Sequence, residues 1–180
     1  MTNDERVRIG ITDNTGSILG LSFGSPDETG WTITKSGLSA KLKRDGESAD
    51  ENQEIEAYVI KLDTPFNPIS GYIEHLKKNI QEAFVKNQEF SLQTLDVKEY
   101  PQNNQCVRVH LLLEYLRNIR TYNKQQKRWS EQHIISCGST KYKRMGFEVR
   151  YYQRYYDQNK DDQSSVKADK LFESVIIEDK

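Results

Sequence analysis

The sequence predicts an α+β fold, an antiparallel sheet flanked by helices. Three observations lead there. Runs of alternating apolar and polar residues recur at the two-residue period of a half-buried strand. Two segments carry their apolar residues at helical spacing instead. The order along the chain is strands, helix, strands, helix, the pattern of helices packed on an antiparallel sheet.

The first 28 residues are rich in Gly, Asp, Asn and Thr. They read as a weakly ordered N-terminal arm, residues 1–28, with one candidate strand at Ile18–Phe23. The single α+β domain is expected over residues 29–180. Trp31–Ser36 and Leu38–Arg44 form a predicted hairpin around Ser36-Gly37, and a polar loop runs from Asp45 to Asn52. Ile55, Ala57 and Val59 then alternate with Glu56, Tyr58 and Ile60 as a strand, which Pro65 and Pro68 end. Ser70 is the expected N-cap of a helix over Gly71–Lys86. Its apolar face would be Ile73, Leu76, Ile80, Ala83 and Phe84, with Leu76, Ile80 and Phe84 buried. Strands follow at Phe90–Glu99, Gln105–Arg117, Arg128–Ser139 and Phe147–Tyr156. Asp157–Ser165 reads as a polar loop, and Ala168, Leu171, Phe172 and Val175 mark a C-terminal helix.

Composition excludes several classes. Lys and Arg number 26 against 27 Asp and Glu, so no global field favours nucleic acid or acidic membranes. Ten Tyr, six Phe and two Trp supply a core despite the polar balance. No apolar run approaches the roughly 20 residues of a membrane span. The Ile9–Phe23 segment is too interrupted for a signal-peptide core, so the chain reads as cytosolic or as a mature form without its leader.

Cys106 and Cys137 are the only cysteines. If their strands pair antiparallel with these two opposite, the turn centres between Thr121 and Tyr122, inside the polar stretch Asn118–Arg128. Val107, Val109, Leu111 and Leu113 then share one face, opposite Ser136, Ile134, Gln132 and Ser130. This register permits a disulfide, and two buried thiols remain the alternative.

The stretch from Gly30-Trp31 to Val175 resembles a group of uncharacterised proteobacterial exported proteins and lipoproteins. The resemblance rests on the Gly-Trp hairpin, the Pro65-Phe66-Asn67-Pro68 link before the helix, and the Cys106-Val107-Arg108 strand opening. Cys137, Gln153-Arg154-Tyr155-Tyr156 and the closing Ala168–Val175 helix complete it. The layout is also similar to the PsbP-like sandwich. Gly138-Ser139 departs from the basic and proline residues of the group, and no lipobox Cys stands near the N-terminus. The resemblance implies a cell-envelope location and an oxidised Cys106–Cys137 pair. It implies no reaction.

Candidate chemistry is sparse. Lys141–Arg154 interleaves basic and aromatic residues and loosely echoes an RNA-recognition strand. Arg150, Tyr152, Arg154 and Tyr156 would form its candidate binding surface. An ordinary strand burying Phe147, Val149 and Tyr151 is the favoured explanation, because the partner signature and the βαββαβ order are missing and the net charge offers no support. His110 and His133 fall opposite each other in the Cys106/Cys137 register. Four strand residues separate them from the cysteines, roughly 13 Å, which excludes a Cys₂His₂ zinc site. A His-His-Glu set with Glu131 or Glu114 stays open, and the reading assigns no metal and no cofactor. His75 reads as a plain helix residue. No nucleophile elbow, phosphate loop or His-Glu-x-x-His is present, so no catalytic residues are assigned. The expectation is a non-enzymatic cell-envelope binding or structural module with an unknown protein or envelope ligand. The alternative is a cytosolic single-stranded nucleic-acid-binding domain using the Lys141–Arg154 strand.

Overall fold

The computed structural model describes residues 6–12, 14, 16, 18–116 and 126–179. Its frame is a seven-stranded sheet, every neighbouring pair antiparallel. The strands are β3 (Thr32–Lys35), β4 (Ser39–Asp45), β5 (Asn52–Lys61), β6 (Phe90–Glu99), β7 (Cys106–Tyr115), β8 (Arg128–Gly138) and β9 (Met145–Tyr156). They lie in the order β3-β4-β5-β9-β8-β7-β6. A second sheet, β1-β2-β10, is built from β1 (Arg6–Thr12), β2 (Ile18–Gly24) and β10 (Ile176–Asp179). The helices are α1 (Ile69–Val85) and α2 (Ser164–Glu173). The predicted α+β class, an antiparallel sheet flanked by helices, is the architecture observed.

Strand alternation sorts side chains onto two faces. On the inner face, Ala40, Leu42, Ile55, Ala57, Phe147 and Val149 pack against Leu21 and Phe23 of β2 and against Ala168, Leu171 and Phe172 of α2. This is the main core, and Phe23 at its centre is 0% exposed. On the outer face, Val97, Val109, Leu111 and Ile134 meet Ile73, Leu76 and Ile80 of α1. A smaller cluster, Leu62, Phe66, Tyr72 and Val107, closes the start of that helix.

The β7–β8 pairing has the predicted register. Cys106 faces Cys137, Val107 faces Ser136 and His110 faces His133. Cys106 N–H donates to the Asn103 carbonyl and its C=O accepts from Tyr100 N–H, both away from β8. The two cysteines therefore form a non-hydrogen-bonded pair, the closer kind, with Cα atoms 4.0 Å apart. They are joined as a disulfide, fully buried in the main core. The predicted turn at Thr121-Tyr122 and the strand end at Arg117 lie outside the described residues. At the end of β8, Gly138 faces Gly146 of β9. A Cβ on Gly146 would stand 2.3 Å from the Cys137 carbonyl oxygen, and one on Gly138 would stand 2.5 Å from Phe66.

Several expectations are corrected. The candidate strand at Ile18–Phe23 is present as β2, but residues 6–12 form a strand as well, and in place of a weakly ordered arm Val7, Ile9, Leu19, Leu21 and Phe23 are core residues. Gly-rich composition obscured the alternation of Val7, Ile9 and Ile11. The partner β10 was missed because four residues carry no period of their own. Helix α1 begins at Ile69 after Pro68, and Ser70 makes no cap. Proline at that place supplies no side-chain acceptor, so the helix start is set by its fixed φ. Leu76, Ile80 and Phe84 are half-buried, not buried, and Ala83 is exposed. An open groove of about 350 Å³ beside them, floored by Val109 and Ile134, explains this. The 157–165 loop holds a short 3₁₀ turn, Asp157–Asn159, and gives way to α2 at Ser164.

Three expected outcomes follow from this fold. Phe172→Ala should cost about 3–5 kcal/mol by urea unfolding, because Phe172 is 2% exposed. Leu76→Ala should cost less than about 2 kcal/mol; equal costs would show that the α1 face is packed as fully as the α2 face. Reduction, or the double replacement of Cys106 and Cys137 by Ala, should lower stability by roughly 3–4 kcal/mol, as expected from the chain entropy of the closed loop.

Candidate functional site

Two places on the inner face combine polar groups with burial. The first is a cleft of about 540 Å³ between the 24–28 segment and α2. Its walls are Pro26, Val166, Lys170 and Leu171, and Ile55 of β5 and Tyr151 of β9 form its floor. Ile55 and Tyr151 are register partners, so the sheet holds them side by side. Tyr151 is 2% exposed, and its hydroxyl has no hydrogen-bond partner. Burial raises its pKa, and the carboxylates Asp161 and Glu28 add to the effect. An ion-pair chain fixes the mouth. Lys167 of α2 bridges Asp161 and Glu28, both at 2.7 Å, and Glu28 also accepts from Arg44 at 2.8 Å.

The second place lies at the register position next to Tyr151. His110 and His133 stack across β7 and β8, with ring centroids 4.6 Å apart and planes 8° from parallel. Glu131, two residues before His133, projects from the same face. Its Oε1 lies 3.1 Å from His110 Nε2 and 3.7 Å from His133 Nε2. Its Oε2 accepts from Gln153 Nε2 and Ser164 Oγ, both at 3.0 Å. Gln153 stands opposite Glu131 on β9, and Ser164 opens α2. Burial alone would raise the Glu131 pKa, but the hydrogen bonds from His110 and Gln153 outweigh it and hold the carboxyl down to about 2. Burial, aided by the His110 charge, holds His133 down to about 4. The arrangement keeps a carboxylate and an unprotonated imidazole together in the interior at neutral pH.

The other sequence candidates are placed differently. Glu114, the alternative carboxylate, is ion-paired to Lys127 at 2.9 Å. The strand of the Lys141–Arg154 segment begins at Met145. Of the candidate binding surface Arg150, Tyr152, Arg154 and Tyr156, only part is available. Tyr152 is buried and donates to Glu54, and Arg150 pairs with Glu148. Arg154 lies over the Tyr152 ring and 3.7 Å from Glu54, and Tyr156 donates to Asp50. Lys41 of β4 pairs with both Glu54 and Glu56. The row is a mixed-charge ladder whose cations are paired along β9 or across to β5, so it presents no basic stripe for a phosphate backbone. Sequence reasoning missed the Tyr151 cleft, because Tyr151 reads as a core residue until α2 and the 24–28 segment are placed.

No protein-family model matches the chain, and no curated protein matches it. Among solved structures it aligns with the Saccharomyces cerevisiae Ran-binding protein Mog1p, at 10% identity and a TM-score of 0.47, over 97% of each chain. A point mutant of the protein Mog1 aligns at 10% identity and a TM-score of 0.46, over 96% of this chain and 97% of that one. At these values the likeness supports no inference about function.

The His133 environment has a pH consequence. Facing it are His110 and Arg108 on β7, Glu131 on β8, Tyr151 on β9 and Asp169 on α2. Its folded pKa, about 4, is below the ordinary 6.5, so the unfolded chain takes up the proton first. This contribution is complete above pH 6.5 and is lost as pH falls toward 4. Glu131 acts lower, its contribution present above about 4.5 and lost as pH falls toward 2. Between pH 7 and 5 the wild type should lose on the order of 2 kcal/mol of unfolding free energy through His133. His133→Gln should flatten that slope; an unchanged slope would assign it elsewhere.

Proposed function

We propose that this protein is a non-enzymatic binding module of the cell envelope and that the Tyr151 cleft is its ligand site. The observation that carries the reading is that Tyr151, a residue of the cleft floor, has a buried hydroxyl with no partner. A buried polar group left unmade costs about 1–3 kcal/mol, and a ligand hydrogen bond would recover it. A concave site that combines apolar side chains with a few placed polar groups is the usual make-up of a small-molecule site, and here Ile55, Val166 and Leu171 stand with Tyr151 inside a polar mouth. The ligand class that fits is a small organic molecule with an apolar body and one hydrogen-bonding group. The envelope location rests on the Cys106–Cys137 disulfide, because such bonds persist in oxidising compartments and are rare in reducing ones. No helix among the described residues is long and apolar enough to cross a membrane. The nucleic-acid alternative gains no support from the neutralised outer row of β9.

N-phenyl-1-naphthylamine, an apolar aryl amine, is a suitable probe. Its fluorescence should rise saturably with one site per chain. Val166→Trp should abolish the rise without unfolding the protein, since Val166 is 46% exposed at the cleft wall. A saturable signal that survives Val166→Trp, or no signal at all, removes the cleft from the proposal. For location, Cys106 and Cys137 should resist alkylation in cells quenched with acid unless a reductant is added. Two freely alkylated thiols would place the chain in a reducing compartment.

A further inference from the structure

We propose that His110, Glu131 and His133 form a binding site for one divalent first-row transition-metal ion of the zinc type. The proposal goes beyond the cleft reading and does not depend on it.

The geometry carries the argument. One donor atom from each residue can be chosen so that all three lie within 4.8 Å of one another. Both Nε2 atoms converge on the same carboxylate oxygen, Glu131 Oε1. Donor atoms around a tetrahedral zinc ion stand roughly 3.3 Å apart, given bonds of about 2.0–2.1 Å. Closing the set needs side-chain shifts of about 1 Å, with no change of strand register. Two imidazoles and one carboxylate are a ligand set suited to this class of ion.

A second observation points to a ligand independently. The His133 side chain is 4% exposed, yet neither of its ring nitrogens has a hydrogen-bond partner. Its 3.7 Å approach to Glu131 is too long for a hydrogen bond. Buried imidazoles ordinarily satisfy at least one nitrogen. A metal ion at the convergence point would take the Nε2 lone pair.

The surroundings are those of a built site. Gln153 and Ser164 occupy Glu131 Oε2 and so turn Oε1 toward the two rings. Carboxylate ligands are commonly oriented by such outer hydrogen bonds. His110, with its side chain 31% exposed, opens the site to solvent, while His133 and Glu131 anchor it below. Three protein ligands leave one tetrahedral position on the His110 side for water or another small donor. The cysteines are not part of the set, because both are held in the disulfide.

The test uses the full chain, free of any histidine tag, disulfide intact and treated with chelator. Co²⁺ is titrated first, followed by its ligand-field absorption, and then competed with Zn²⁺. One ion per chain and the intense visible bands of a four-coordinate site are expected. His110→Ala changes a half-exposed residue, so circular dichroism should stay native while affinity falls by at least 100-fold. Glu131→Gln should do the same. Ser164→Ala, which touches no metal, should weaken binding by roughly 10–100-fold. Absence of the bands overturns the proposal. So do bands whose Co²⁺ affinity is the same in wild type, His110→Ala and Glu131→Gln, since those would report ions bound elsewhere.

Discussion

The register of β7 against β8 is the constraint on which the rest of the structure depends. A shift of one residue would turn every side chain on either strand to the opposite face. Val107, Val109 and Leu111 would leave α1, and Cys106 and His110 would leave the interior. The Cys106–Cys137 disulfide locks this pairing from within the main core. The separate pairing of β9 along the other edge of β8 sets which β9 residues stand beside the histidines. Gln153 falls next to Glu131 and Tyr151 next to His133.

The two faces of the large sheet solve different problems. The inner face is covered by the small sheet and α2 and is mostly apolar. Each large side chain buried there contributes roughly 1.5–3 kcal/mol. The outer face is covered by α1 over only part of its width. The rest is closed by cross-strand pairs, with Glu54 at their centre. Burial would raise the Glu54 pKa, but Lys41 and Tyr152 bond its carboxylate and bring it below the ordinary range. A chain with 29% charged residues can keep a wide sheet because these charges satisfy one another.

The inner face departs from that pattern around His133. Glu131, His133, Gln153, Ser164 and Tyr151 bring polar atoms into an otherwise apolar layer, and the His133 nitrogens and the Tyr151 hydroxyl remain without partners. Unmade hydrogen bonds of this kind are destabilising, and proteins tend to carry such departures at functional places. Helix α2 borders both: its first residue, Ser164, holds Glu131, and Val166 and Leu171 wall the cleft. The polar cluster and the cleft therefore share one structural support.

Much of this was legible in the sequence. Alternation placed β4, β5, β6, β8 and β9 closely, and pairing the two cysteines yielded the β7–β8 register, with His110 opposite His133. These features depend on side-chain period and on spacing along one chain segment, which sequence carries directly. Of the N-terminal strands β2 was legible and β1 was not, its alternation being hidden by Gly-rich composition; β10 was not legible either, because its four residues acquire their state from β2, some 150 residues away, and not from a period of their own. The candidate sites divide the same way. Two histidines on facing strands followed from a register, whereas the orientation of the Glu131 carboxylate is set by Gln153 and Ser164, which arrive from β9 and α2. Tyr151 became a cleft floor only when α2 and the 24–28 segment closed around it. Local sequence determined which face each side chain occupies; tertiary packing alone decided what stands across from that face, because contacts between distant segments leave no periodic trace in either one.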